Sequence, residues 1–535
     1  MTAPNILVDN DSDTLVSGAG DRWTGRPVNI TDPQSPGWWM NFLAQKFVER
    51  DRTYDQADDP ADPYTRIVPF RTRRQRLNLL WRYFIGRPPL PQVREEYREA
   101  FEGVLRKANA VYAPMAVDAM LDRMTLTGVR TSTSDGPEGD ELARKIMEVS
   151  GFAAAIKDAL TYLFAMSEAY LMVVPAAEGS VDKTPLITAE DPRLCIGQPD
   201  PMAPNQLRAA LKLGYDEVRE RVVAWVYPGD GRRYQASQSS TGWIGLTVSA
   251  AGFTWDGPPV DMPELEPYGG VPIVRLVNAH GMGEYEKHLD LLDRINDTIL
   301  QRIVIAAFQS FRQRGVIADL EGGEDDEDSP IEEIDWNNIF SASPGGLWRL
   351  PAGSQFWESG VTDMTPITGA IKSDVMEFAA VTRTPLHLVT PDVATQSAEG
   401  ASLMREGIVF KVKDRRDRVN PGLGLLWRMA FALAGEPKDS VQMLWGNIES
   451  YSLVEKAQAI NLTRGILSRE RQLVDILEMS PPEAADNMQE LLTDQFLNAQ
   501  LTTAPPPSTV RLTENVTDTH QTQGTTAPDA SPVVP

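Results

Sequence analysis

Residues 366–435, PITGAIKSDVMEFAAVTRTPLHLVTPDVATQSAEGASLMREGIVFKVKDRRDRVNPGLGLLWRMAFALAG, decide the fold of this chain. They predict a helix, an irregular loop and a longer helix. The first helix has an apolar stripe at helical spacing, formed by Ile367, Ile371, Val375 and Phe378. Thr384-Pro385 ends it, because proline disfavours helical geometry in the residue before it. Helical composition resumes after Ser397, and Gly400, Gly407 and Pro421-Gly422 predict that the second helix is kinked or split.

The second helix carries the densest basic cluster in an acidic chain: Lys411, Lys413, Arg415, Arg416 and Arg418, opposed by Asp414 and Asp417. The chain has 75 acidic and 51 basic residues, a formal net charge of −24. Tight binding of nucleic acid gains affinity when Lys and Arg displace phosphate counterions, so this composition argues against it. The acidic composition is compatible with a protein channel that contacts DNA at a few places. It is equally compatible with a protein whose acidic residues only confer solubility.

Length and composition bound the class of protein. A chain of 535 residues predicts about three or four domains. No run of about twenty apolar residues occurs, so we expect no membrane partner, and the polar start of the chain does not have the pattern of a signal peptide. The single cysteine, Cys195, excludes an intrachain disulfide and a cysteine-rich zinc site. These features predict assembly in a reducing cytoplasm.

Residues 36–280 predict one α+β domain after a flexible N-terminus at 1–35. A helix pair is expected at 141–163, and apolar runs between turn residues predict strands at 169–175, 186–188, 209–213, 222–226, 243–248 and 271–276. A long helix is expected over 284–314, with Leu291, Ile295, Ile299 and Ile303 on one face and polar residues on the other. This helix fits either the stem of a ring, where helices of neighbouring subunits pack around a channel, or a helix that connects two domains of one chain.

Two further regions differ in character. Residues 321–335 contain nine acidic residues and no basic one, and tryptophans follow among Gly, Pro and Ser. The acidic run lacks the spacing of a calcium loop, so we predict a solvated loop and a small β module, with no metal site. Helix-capping patterns at Ser452 and Ser480 predict a helical bundle over 441–500, and the tail at 501–535 is predicted to be disordered.

The sequence contains no recognisable catalytic motif. It lacks a phosphate-binding loop, a Gly-x-Ser-x-Gly elbow and a His-Glu-x-x-His pair. His280 and His288 are more readily explained as cap or surface residues than as ligands. We therefore predict no active site, no enzyme activity and no cofactor.

Three stretches and the helix-loop-helix together resemble the portal proteins of tailed bacteriophages, of the actinobacteriophage type. They are YFIGRPPLP at 83–91, AVDAMLDRM at 116–124 followed by Gly128-Val129-Arg130, and LITAEDPRLCIGQPD at 186–200. The resemblance implies a portal fold with a wing (36–280), a stem helix (281–314), a clip (315–365), a second stem helix (366–383), a tunnel loop (384–397), a kinked tunnel helix returning to the wing (398–440) and a helical crown (441–500).

The resemblance also implies a function. Portal proteins form a ring, commonly of twelve subunits, at one capsid vertex of the virion, assembled in the bacterial host cytoplasm. Double-stranded DNA passes through the ring during packaging and ejection, with transient, non-specific contacts. The implied partners are the terminase large subunit, a head-tail adaptor, and the major capsid and scaffold proteins.

Three groups of site residues follow from the resemblance. The DNA-facing tunnel loop would present Thr384, Pro385, Leu386, His387, Thr390, Thr395, Gln396 and Ser397. The basic cluster defined above would contact phosphates or, as we favour, form ion pairs between subunits. The docking surface of the clip would present Glu324, Asp325, Asp326, Glu327, Trp336 and Trp348.

Two other interpretations of the sequence remain open. An acidic cytoplasmic enzyme predicts a monomer or dimer with a pocket that holds perturbed titratable groups. Another structural head protein, such as a capsid or adaptor subunit, predicts shells or tubes. Electron microscopy of the purified protein separates both from a ring with a central opening.

Overall fold

The structure, a computed structural model, describes residues 23–49, 72–90, 103, 105–132, 139–177, 182–240, 250–310, 314–317, 355–358, 362–385, 388, 398–448, 453–477, 479 and 481–503. The chain divides into two units, Met1–Ser480 and Pro481–Pro535. The first mixes helices and sheets, which confirms the α+β class.

The first unit begins with helices whose ends are fixed locally. They are α1 (Pro36–Val48), α2 (Arg73–Phe84), α3 (Ala113–Leu121), α4 (Glu141–Ser150) and α5 (Phe152–Met166), with strand β1 (Leu126–Thr131) between α3 and α4. Thr72 and Gln75 form a capping box at the start of α2, which satisfies backbone donors there. Gly151, at φ 58°, separates α4 from α5, so the predicted helix pair is confirmed.

The strands form two antiparallel sheets. One is three-stranded, in the order β10-β2-β3, and the other runs β4-β5-β6-β7-β8, with β9 paired to β7. The strands are β2 (Glu168–Val174), β3 (Leu186–Glu190), β4 (Cys195–Pro199), β5 (Leu207–Asp216), β6 (Arg221–Tyr227), β7 (Arg232–Ser239), β8 (Thr254–Trp255), β9 (Val260–Asp261) and β10 (Ile273–Val277). Strands expected near 169, 186, 209, 222 and 271 are confirmed, whereas 243–248 lie outside the described residues.

Two hydrophobic cores hold these layers together. The larger one joins α2, α3 and α5 to β2, β10 and the later helices, and contains Leu80, Met120, Leu160 and Tyr170. The smaller one lies between α1 and the larger sheet, where Phe47 packs with residues of β5 and β6. Both are built from the apolar faces that the sequence periodicity marks.

The later elements leave this body and return to it. They are α6 (Leu289–Ser310), the paired strands β11 (Arg314–Ile317) and β12 (Gln355–Glu358), α7 (Thr365–Thr382), α8 (Ala398–Leu433), β13 (Val441–Trp445), α9 (Leu453–Leu462) and α10 (Arg469–Arg471) with a π turn at Gln472–Ile476. β13 pairs antiparallel with β1, from Thr131–Val441 to Leu126–Trp445. The second unit contains α11 (Pro481–Thr503).

Helices α6 and α7 form an antiparallel pair. Arg294 of α6 contacts Asp374 and Glu377 of α7, while Gln309 near the other end of α6 reaches the carbonyl of Thr362. The α6 helix starts at Leu289 and not at 284, because His280 and Gly281 have positive φ and 3-10 turns occupy 279–281 and 286–288. The predicted long helix is therefore 22 residues, about 33 Å.

Helix α8 is one continuous helix of 36 residues, with Pro421 in its interior, so it is not split, and the predicted kink stays a prediction. Proline there removes one helical hydrogen bond. Gly422 compensates by allowing a close approach to β10, since a Cβ at this position would lie 2.5 Å from Cδ2 of Leu276. Packing against the sheet thus holds α8 continuous across Pro421.

Among the residues described, no single helix is long and apolar enough to cross a membrane; only α4 and α5 together, bent by 72°, meet the criteria of length and composition.

Candidate functional site

A buried cluster of charges joins the start of α6 to the middle of α8. The Glu284 side chain, 4% exposed, accepts from Lys411 Nζ at 2.9 Å and from Arg415 Nε at 2.7 Å. Asn278 Nδ2 donates to the same carboxylate at 2.9 Å. Arg415 also pairs with the half-exposed Asp414. Each buried charge of the cluster therefore has a partner of opposite sign, which is what makes its burial tolerable.

Lys411 also binds the end of α7. Its Nζ donates to the carbonyl oxygen of Thr382 at 2.7 Å. Arg383, at φ 56°, ends the helix in the left-handed conformation, and the hydroxyl of Thr382 lies 2.8 Å from that of Thr384. The point where the chain leaves α7 is therefore tied to α8 and, through Glu284, to the segment before α6.

Within this cluster, burial opposes the charged forms and the ion pairs favour them. Burial raises the pKa of Glu284, but Lys411 and Arg415 outweigh it, and the pKa ends below its usual value. Burial lowers the pKa of Lys411, and the nearby Glu284 carboxylate opposes that shift. Burial would also lower the pKa of Arg415, but Glu284 and Asp414 raise it. The attraction across the cluster offsets much of the cost of desolvation.

Two more buried carboxylates, Glu286 and Glu168, form ion pairs near this cluster. Arg76 Nε lies 2.6 Å from Oε1 of Glu286, and the other oxygen accepts from the amide of Gly283 at 2.7 Å. Glu168, at the start of β2, binds Arg73 of α2 and Arg275 of β10, the latter at 2.7 Å. The segment from Asn278 to His288 is thus connected to α2 and α8 by charge-assisted hydrogen bonds, and Glu168 connects α2 to the three-stranded sheet.

The Glu168 site makes stability depend on pH. Burial raises the pKa of Glu168, but Arg73 and Arg275 dominate and lower it from 4.5 to about 2. The carboxylate therefore contributes its full stability above pH 4.5 and loses it as pH falls toward 2, about 3 kcal/mol in all. We expect the difference in unfolding free energy between the parent protein and Glu168→Gln to shrink by that amount from pH 5 to pH 2 in urea titrations. A difference that stays constant would contradict this.

The structure gives three residues of the basic cluster partners within the same chain. Lys411 and Arg415 bind Glu284 of the same chain, so neither phosphates nor a neighbouring subunit is needed as their partner. Arg416 donates to the carbonyl of Arg123, and its guanidinium lies 5.1 Å from the centre of the Trp445 ring. Lys413 is exposed, and Arg418 is 45% exposed and pairs with Asp414.

The structure describes two of the predicted DNA-facing residues. Thr384 is 5% exposed and Pro385 is buried within the subunit, and their DNA-facing role stays a prediction. The others, Leu386, His387, Thr390, Thr395, Gln396 and Ser397, lie outside the described residues. So do the proposed docking residues of the clip, Glu324, Asp325, Asp326, Glu327, Trp336 and Trp348.

Sequence reasoning missed the acidic partners, Glu284, Glu286 and Glu168. A signal for the basic side did exist. Lys411 and Arg415 lie three and seven residues after the buried Ile408, on the same side of α8 as Val412 and Val419. Basic residues at apolar positions of a helix indicate buried, paired charges. Within the described part of the chain, no group of three or more His, Cys, Asp or Glu could hold a metal ion.

Comparison with known proteins gives one family. A family model described as "Phage portal protein, SPP1 Gp6-like" matches residues 70–492. A solved chain from the neck of a native GTA particle computed with C12 symmetry is 14% identical, covering 73% of this chain and 94% of that chain, with a TM-score of 0.36. For the neck of an empty GTA particle computed with C6 symmetry the values are 14%, 71%, 91% and 0.37. No curated protein sequence matches the chain.

Proposed function

The chain belongs to the SPP1 Gp6-like family of phage portal proteins, and from this premise we propose how its parts work. It forms a ring of twelve subunits at one capsid vertex of the virion, assembled in the host cytoplasm. The ring is the channel for double-stranded DNA in packaging and ejection. The terminase large subunit docks on it first and the head-tail adaptor later, while the major capsid and scaffold proteins surround it. Its role is mechanical and electrostatic, and it has no catalytic site of its own.

The parts of a portal fit the observed elements. The α+β body and its two sheets would be the wing, the α6–α7 pair the stem, residues 315–365 with β11 and β12 the clip, and residues 441–500 the crown. Acidic and aromatic residues of the clip would provide the docking surface. Residues 386–397 would be the tunnel loop, between the ends of α7 and α8.

The observation that carries this proposal is the cluster around Glu284. It fixes both helices that flank the loop, through Lys411 to the end of α7 and through Lys411 and Arg415 to α8. A loop whose two ends are fixed to the body holds a constant position in the channel while DNA moves past. With a net charge of −24, the ring would repel DNA over most of its surface, so that contacts stay few and transient.

We expect replacement of residues 386–390 by a Gly-Ser sequence of equal length to leave ring assembly intact and to abolish most DNA packaging. Thr384 and Pro385 stay unchanged because they are buried. Rings are counted by electron microscopy and packaged DNA by nuclease protection in assembled particles. The matched control replaces residues 201–205, a surface turn in which Met202 is 91% exposed. Normal packaging by the 386–390 variant would contradict the tunnel assignment.

Imaging of the purified protein tests the ring itself. A central opening wider than a DNA duplex supports the proposal. A compact monomer or dimer would instead favour the enzyme alternative, and shells or tubes another head protein.

A further inference from the structure

An apolar patch lies where α7 ends and α8 passes it. It consists of Val381 and Phe410, which are 45% and 57% exposed. Both are sequence neighbours of a bonded pair, because Lys411 donates to the carbonyl of Thr382. Phe410 points away from the core side of α8, where Val412 is fully buried. Large apolar side chains gathered at one point of the surface indicate a contact that the single chain leaves uncovered.

Two cations flank this apolar patch. Arg383 and Lys413 are both exposed, and Lys413 Nζ lies 5.9 Å from the centre of the Phe410 ring. Neither makes an ion pair with any residue that the structure describes. The surface is therefore apolar at its centre and positive at its edge, the composition of a protein contact rather than of a solvated face.

An acidic stripe with the opposite character lies on α6. Asp290 and Asp297 are exposed and seven residues apart, which places them on one face of the helix. The cation between them, Arg294, is engaged by Asp374 and Glu377 of α7. Neither aspartate forms an ion pair with a residue that the structure describes, so the stripe keeps an uncompensated negative charge.

Both surfaces adjoin the end of α7. Arg294 of α6 contacts Asp374 and Glu377, so the start of the antiparallel helix α6, with Asp290, lies beside the end of α7, where Lys411 binds Thr382. A closed ring built by head-to-tail contacts needs two different, complementary surfaces on each subunit. The apolar patch with its cations and the acidic stripe are two such surfaces.

We propose that the apolar patch, with Arg383 and Lys413, binds the acidic stripe of a second copy of this chain. The proposal rests on the proposed function, since it names the contact by which the ring closes. DNA is the less suitable occupant, because hydrated phosphates gain nothing from Phe410 and the acidic stripe repels them. Covering Phe410 removes apolar surface from water, and the flanking charges set the orientation of the two subunits.

The test compares full-length Phe410→Asp, the double variant Asp290→Lys/Asp297→Lys, and Val218→Asp as a control with an equally apolar, 93% exposed residue in a hairpin turn. Sedimentation velocity and electron microscopy measure assembly. We expect Val218→Asp to form rings and each of the other two to remain monomeric, with subunit association weakened about thirtyfold or more, as for loss of an interface hot spot. Thermal unfolding checks that all variants fold.

Mixing gives the decisive result. The Phe410→Asp subunit keeps its acidic stripe and the double variant keeps its apolar patch, so a mixture has one intact contact for each pair and should form heterodimers but no rings. Rings from Phe410→Asp alone, or a mixture that stays monomeric, would overturn the inference and leave the portal function intact. Failure of the parent protein to form rings would instead overturn the proposed function together with this contact.

Discussion

Replacing Glu284 with glutamine is expected to lower the free energy of unfolding of the first unit by about 3–5 kcal/mol. The change leaves Lys411 and Arg415 facing a neutral amide. Both side chains are largely buried, 7% and 14% exposed, so water cannot replace the lost carboxylate. Removing one partner of a buried ion pair costs far more than the pair contributed, because the remaining charge is desolvated without compensation. Asp414 can offset only part of the charge on Arg415.

The measurement is the urea midpoint of unfolding of the purified chain, with Glu377→Gln as the matched control. Glu377 pairs with Arg294 at 2.7 Å, but the two side chains are 56% and 52% exposed. An exposed pair is worth about 1 kcal/mol or less, so the control should barely move the midpoint. Equal shifts for the two variants would show that Glu284 is not the centre of a buried cluster. A folded Glu284→Gln protein should also package DNA poorly, since both flanks of the proposed tunnel loop lose a shared anchor.

Replacing Trp427 with alanine is expected to cost about 3–5 kcal/mol of unfolding free energy, the range for deletion of a large buried aromatic side chain. Trp427 is fully buried in the larger core, with its ring centre 5.3 Å from that of Phe152 and 5.9 Å from that of Phe431. It connects α8 to α5, so the cavity opens where the long helix rests on the body. Thermal unfolding and urea titration measure the loss.

Trp427→Phe distinguishes packing from polar effects at the same site. The indole Nε1 is buried and has no hydrogen-bond partner among the residues that the structure describes, an unfavourable arrangement of about 1–3 kcal/mol. Phenylalanine removes that unpaired donor and fills most of the space, so its cost should be well below that of alanine. If the two substitutions were equally destabilising, the contribution of Trp427 would not come from filling the core.

The sequence predicted the helices well where apolar residues recur at helical spacing on one face. The stripe that includes Ile371, Val375 and Phe378 is buried on α7, and α8 begins at Ala398, one residue after the expected cap. Apolar runs likewise marked β2 and β6. It missed β4 and β7, whose sequences CIGQP and RRYQASQS are short or polar, because their strand geometry is imposed by neighbours in the sheet and not by local preference.

The partners in the buried charge cluster could not be predicted from the sequence for a different reason. Arg76 and Glu286 are 210 residues apart, and Arg415 and Glu284 are 131 apart. With 75 acidic and 51 basic side chains, many pairings are conceivable, and only the fold selects among them. The spacing on α8 could indicate that Lys411 and Arg415 are buried, but it could not identify the carboxylate with which they form ion pairs.

The pairing of β1 with β13 has a consequence for biosynthesis. Thr127 donates to the carbonyl of Leu444, 317 residues later, so one of the two strands waits unpaired while the ribosome makes everything between them. At about 5–20 residues per second, that delay is roughly 15–60 s. The nascent chain must keep its first strand from pairing with other polypeptides throughout that interval, and protection by host chaperones would matter most during that minute.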